Sequence, residues 1–202
     1  MIPKTDALTG GFTEPVFQAQ SVFRMLMDGM ARPGTIQTIL PQVAPPAPLG
    51  QAAGAIGLAL CDHDTPVWLS PALGKTAVGE WLGFHTGAPL TREKVEARFA
   101  FFEAGAALAA FGLFSTGTQE YPDRSTTLVI EVARLEGGPA LTLTGPGIQE
   151  SRTITPGPMP ETFLRSWADN RTLFPRGVDV ILACGAQFLC LPRTCTITAR
   201  EH

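Results

Sequence analysis

Apolar residues recur at helical spacing near the start of the chain. Val16, Ala19, Val22, Phe23, Leu26, Met27 and Met30 lie three and four positions apart and predict an amphipathic helix. Pro15 suits its first turn, where a backbone N–H has no partner to lose, and Pro33 stops it because the proline ring disfavours a helical Arg32. Gly34 completes the turn. A short strand is expected over residues 35–40, followed by a rigid proline-rich loop through Pro41, Pro45, Pro46 and Pro48.

The pattern then alternates. Residues 49–60 are small and apolar enough for a buried helix, 66–69 suit a strand, and 76–84 suit a short helix capped by Thr76. Residues 98–103 read as an aromatic strand, and 105–114 as a helix or another buried run. Two β-branched runs, 126–135 and 139–144, joined by Glu136, Gly137 and Gly138, predict an antiparallel hairpin that Gly145, Pro146 and Gly147 close with a turn. Helical spacing returns over 160–173 through Phe163, Leu164, Trp167 and Ala168. Two last strands, 179–184 and 187–191, meet through Gly185 and Ala186. Mixed elements of this kind imply an α/β fold, a mixed sheet with helices covering its faces, with residues 1–202 as one domain.

Composition agrees with a globule: 45% of the 202 residues are apolar and 16% are charged. The net charge is −3 and no run of Lys and Arg is long enough to hold nucleic acid. No apolar segment approaches the ~20 residues needed to span a bilayer, and no basic head precedes an apolar run at the amino terminus, so a cytoplasmic protein is expected. Cys61, Cys184, Cys190 and Cys195 form no C-x-x-C pair and read as reduced core thiols.

Candidate chemistry is sparse. His63 lies between Asp62 and Asp64 without a second His at ligand spacing, which reads as a solvated turn rather than a metal site. No G-x-S-x-G elbow, Cys/His pair or phosphate-cradling glycine loop is present. Twelve of the fifteen cations are Arg, the side chain that grips anions with a bidentate fork. Arg24 and Arg32 lie about 80° apart on the first helix. Tyr121-Pro122-Asp123-Arg124, Phe174-Pro175-Arg176-Gly177-Val178-Asp179 and Leu191-Pro192-Arg193-Thr194 each set charge beside a proline turn, and spacing leaves open whether this serves recognition or turn geometry. The candidate substrate-binding residues are Arg24, Arg32, Asp123, Arg124, Asp179 and Arg193; no catalytic, cofactor or metal residue is assigned.

The same segments, in order, resemble a known family. Residues 17–34, with Gln18, Phe23-Arg24, Met25 and the closing Arg32-Pro33-Gly34, look like the amino-terminal pattern of the PhnH family, the H subunit of carbon-phosphorus lyase. Asp62-His63-Asp64-Thr65-Pro66-Val67-Trp68, Tyr121-Pro122-Asp123, Leu143-Thr144-Gly145-Pro146-Gly147-Ile148 and the Phe174 and Leu191 segments resemble later family motifs. The resemblance implies a three-layer α/β/α fold similar to the large domain of pyridoxal-phosphate-dependent transferases, but without the cofactor. It also implies a role: with the G, I and L subunits, supporting displacement of adenine from MgATP by a phosphonate to give α-D-ribose 1-phosphonate 5-triphosphate. Assembly with G, I and J, and a homodimer when isolated, are implied as well. Two alternatives stand beside this assembly role, a direct anion site and a stand-alone pyridoxal enzyme built on Lys75.

Overall fold

The computed structural model describes residues 8–160 and 162–199. Among these, helix α1 (Pro15–Ala31) is followed by β1 (Gln37–Thr38), α2 (Gln51–Leu60), β2 (Val67–Leu69), α3 (Val78–Thr86), β3 (Phe99–Phe102) and β4 (Thr127–Glu131). Then come β5 (Leu141–Thr144), β6 (Arg152–Ile154), α4 (Phe163–Arg171), β7 (Asp179–Cys184), β8 (Gln187–Leu191) and β9 (Thr196–Ala199).

Six strands form the main sheet in the order β1-β8-β7-β4-β3-β2. The strands from β7 to β2 are parallel neighbours, with Thr127 aligned to Phe99 on one side and to Asp179 on the other; β8 and β1 add antiparallel pairings. The expected mixed sheet is therefore present. Alternate strand residues point to opposite faces. Phe101, Val129, Ile181 and Phe188 pack with Val22, Leu26, Ile56, Trp81 and Leu82 of the first three helices. Leu128, Ile130, Val180 and Leu182 pack on the other side with Phe163 and Trp167 of α4. That second face is not covered by helices alone: Leu143, Ile154 and Ile197 of a small antiparallel sheet, ordered β6-β5-β9, complete it.

The structure corrects two expectations. The β-branched runs do not pair as a hairpin: β4 lies between β3 and β7, and β5 pairs with β6 and β9. The reason is burial. Leu128, Val129 and Ile130 are each at most 3% exposed, as an inner parallel strand requires on both faces, whereas β5 alternates buried and open positions as a half-covered antiparallel strand does. Residues 105–114 form no α-helix but an irregular segment ending in a single 3-10 turn over Phe111–Leu113, and Ala106, Leu108, Ala109, Phe111 and Phe114 pack on the core as the buried-run alternative implies.

Helix α1 forms over the expected residues. Its apolar positions cover about 140° of the helix surface, more than one docking face needs. Val22, Leu26 and Gly29 are buried, while Val16, Phe17, Phe23 and Met27 are exposed at 78%, 71%, 47% and 55%. One stripe seats the helix on the sheet; the other faces outward. The helix ends as expected, with Arg32 out of helical geometry and Gly34 at φ +74.

Candidate functional site

Polar side chains come together at several places among the described residues, and one of them gathers four of the candidate residues. Because β7 and β8 are antiparallel neighbours, Asp179 at the start of one and Arg193 just past the end of the other meet at the same sheet end. Asp179 Oδ1 accepts the Arg193 backbone N–H at 2.7 Å and its Nε–H at 3.1 Å, while Nη2 pairs with Oδ2. Arg193 Nη1 donates to the Pro122 carbonyl at 2.7 Å, and Nη2 also reaches Ser125 Oγ at 2.5 Å. The two side chains are only 13% and 19% exposed, so their charges cancel within the fold. Arg193 thereby pins the Pro122–Arg124 turn to the sheet.

That turn carries Asp123 and Arg124, both exposed. The Arg124 guanidinium lies 4.1 Å above the Tyr121 ring, a cation–π contact that keeps its donors toward solvent. The structure places the other two candidates on α1. Arg32 pairs with Asp28, one turn back, and Arg24 is exposed beside the outer apolar stripe. They share no partner among the described residues, and no hydrogen bond joins either side chain to the Arg193 cluster. His63 lies in the turn that Asp62 shapes by accepting the Asp64 N–H at 3.0 Å; its side chain is 80% exposed. Cys61, Cys190 and Cys195 are buried free thiols, whereas Cys184 is half-buried.

Another such place was not anticipated. Ser70, Glu103 and Glu131 stand at the carboxyl ends of β2, β3 and β4, the edge where open α/β sheets hold ligands. Ser70 Oγ donates to Glu103 Oε2 and accepts the Leu73 N–H at 3.3 Å. Glu131 is 7% exposed; its Oε1 accepts the Gly50 N–H at 2.7 Å, so the carboxyl at the end of β4 caps the start of α2. Burial pushes its pKa up to about 7, and the Gly50 hydrogen bond opposes that shift. A cleft of about 290 Å³ opens beside it, lined by Glu103, Ala106, Ile130, Glu131, Val132 and Met159 among others. One signal could have marked it: Glu131 is a lone carboxylate closing the run Thr-Leu-Val-Ile, with Val132 beyond. The hairpin reading concealed this, because it gave that strand an open face where a carboxylate raises no question.

The family pattern described as bacterial phosphonate metabolism protein (PhnH) matches residues 10–198. The chain belongs to the PhnH family. The α-D-ribose 1-methylphosphonate 5-triphosphate synthase subunit PhnH of Rhizobium meliloti (strain 1021) is 57% identical over 194 residues, covering 96% of this chain and 97% of that protein. A putative C-P lyase subunit protein, HtxG of Stutzerimonas stutzeri, is 36% identical over 84 residues, 42% of this chain and 43% of its own length. The PhnH match spans both the Arg193 cluster and the Glu131 cleft.

Proposed function

We propose that the chain is the PhnH subunit of a carbon-phosphorus lyase system in phosphonate breakdown. With G, I and L subunits it supports displacement of adenine from MgATP by a phosphonate, giving α-D-ribose 1-phosphonate 5-triphosphate, and its part is chiefly assembly. The observation that carries this reading is the 57% identity to a synthase subunit over 96% of the chain. The outward stripe of α1 supports the assembly role. Val16, Phe23 and Met27 lie within about 40° on one side of the helix, an exposed apolar row of the kind that marks a protein-binding surface. Another subunit of the complex covers it.

The reading is tested by co-expression with tagged G, I and J subunits. The chain should co-purify with them, and Phe23→Glu with Met27→Glu should abolish co-purification while leaving the circular dichroism unchanged. Purified alone, it should release no adenine from ATP and methylphosphonate. Release by the lone chain at the rate of the complex would overturn the assembly role. A homodimer in isolation and a cytoplasmic location belong to the same proposal; light scattering on the purified chain checks the first.

A second reading has one observation in its favour: Arg124 is exposed on a turn that Arg193 holds rigid. In that reading the Arg-rich turn segments form an anion site in which Arg24, Arg32, Arg124 and Arg193 take the triphosphate or the phosphonate directly. Each Arg→Ala change should then weaken binding about tenfold or more in calorimetry.

The fold is further proposed to be of the type found in the large domain of pyridoxal-phosphate transferases, working without the cofactor. Lys75 bears only on the absence of the cofactor: it is exposed in a short turn before α3, not held in a pocket as an aldimine lysine is.

A further inference from the structure

The assembly role leaves the cleft at the carboxyl ends of β3 and β4 without a purpose. Glu131 is more than nine-tenths buried, yet only Oε1 has a protein donor among the described residues, the Gly50 N–H; no described side-chain oxygen is both sealed and unpartnered, so Oε2 reaches open space, and Glu131 lines the cleft. Glu103 lines the same space, with one oxygen taken by Ser70. Phe102 and Ile130 are register partners on adjacent parallel strands, and Glu103 and Glu131 are the next residue of each.

The remaining walls are apolar. Ala106, Ala107, Ile130, Val132 and Met159 supply most of them, and no Lys, Arg or His is found among the described lining residues. Among the described residues, the groups set against Glu131 by hydrogen bond, charge or a shared cleft wall are the Gly50 N–H at the start of α2, the Cys184 thiol at the end of β7 and Glu103 at the end of β3, and none of these is cationic. A largely buried carboxyl whose second oxygen meets only the cleft has a desolvation cost that the protein offsets through Oε1 alone. A ligand bringing N–H donors would offset it. An anion would meet two carboxyls and no positive charge, so this cleft is unsuited to phosphonate or triphosphate groups.

We propose that the cleft is a small-molecule site for a flat, largely apolar ligand that presents an amidinium-like or amine edge to Glu131 and Glu103. Its volume of about 290 Å³ accommodates a single substituted ring. Glu131 then has two roles on its two oxygens: Oε1 caps α2, and Oε2 receives the ligand.

Benzamidine is the probe, titrated into the full chain while the Met159 methyl resonance is followed by NMR. Saturable shifts of that signal at millimolar benzamidine are expected. Benzoate and toluene, the anionic and neutral counterparts, should bind at least tenfold more weakly. Glu103→Gln and Glu131→Gln should each weaken benzamidine about tenfold or more. Glu131→Gln retains an oxygen for the Gly50 N–H, so its circular dichroism and chemical-shift dispersion should stay native. Should that variant fail to fold, Glu103→Gln, which does not touch the α2 cap, decides. Absence of shifts at Met159, equal binding of toluene or benzoate, or unchanged binding in the Gln variants would overturn the site. None of these results depends on co-purification with other subunits, so the cleft can fail while the assembly role stands.

Discussion

Gly147 and Ala31 approach so closely that a β-carbon built on Gly147 would lie 2.1 Å from the Ala31 carbonyl oxygen. Pro33 Cδ would be 2.9 Å away, and Gly147 itself has φ +81. The turn after β5 and the end of α1, 116 residues apart in the chain (147 − 31), are thus in backbone contact. Two family-like segments, Ala31-Arg32-Pro33-Gly34 and Gly145-Pro146-Gly147, are two sides of one junction.

Gly147→Ala is therefore expected to cost more than the ~1–2 kcal/mol of a left-handed backbone alone, and about 3 kcal/mol in total, because the clash adds to it. Urea denaturation measures the loss. Gly74→Ala, at a glycine whose β-carbon would meet nothing within 4 Å, is the control and should change stability by less than about 1 kcal/mol.

Removing one partner of the Asp179–Arg193 pair leaves a largely buried charge alone. Arg193→Ala and Asp179→Ala should each cost about 3 kcal/mol, and the double variant less than their sum. Arg193→Lys should recover only part, since an ammonium cannot fork between Asp179, Ser125 and the Pro122 carbonyl. Additive losses in the double variant would show that the two side chains act separately.

Glu131 gives stability a pH slope. Its pKa stands at about 7 in the fold against an ordinary 4.5, so the folded chain keeps a proton that the unfolded chain gives up. Stability from this group is complete below about pH 4.5, falls as the pH rises toward about 7, and levels off above. The gap corresponds to about 3 kcal/mol. Glu131→Gln should lose that decline, so its unfolding free energy at pH 7.5 should exceed or match the native value despite the change of a buried side chain. Parallel pH curves for the two proteins would count against the buried carboxyl.

The two stripes of α1 should behave oppositely. Leu26→Ala, at a position 4% exposed, should cost about 2–5 kcal/mol. Phe23→Ala or Met27→Ala in the isolated chain should stay within about 0.5 kcal/mol, because their side chains already meet solvent. A large loss at Met27 would mean that the outer stripe is needed by the fold rather than by a partner.

Local pattern determined a good deal. Seven apolar residues at helical spacing, with Pro15 before them and Pro33 after, specify α1 wherever the helix ends up, since capping and period act over a few residues. The β7–β8 hairpin was equally legible, because only Gly185 and Ala186 separate its strands. Tertiary structure decided the rest, for reasons of distance. Whether β4 joins β5 or slips between β3 and β7 depends on both of its faces being covered, by helices before it in the chain and by α4 and the small sheet after it. The three residues Arg152–Ile154 hold too few positions to declare a strand before β5 supplies an edge. Glu131 reads as an ordinary carboxylate until Gly50, 81 residues earlier, caps it with an N–H and the sheet shuts out water. Sequence alone supplied the period and the breaks; burial, which sets the charge of Glu131 and joins Arg193 to Asp179, exists only once distant segments pack.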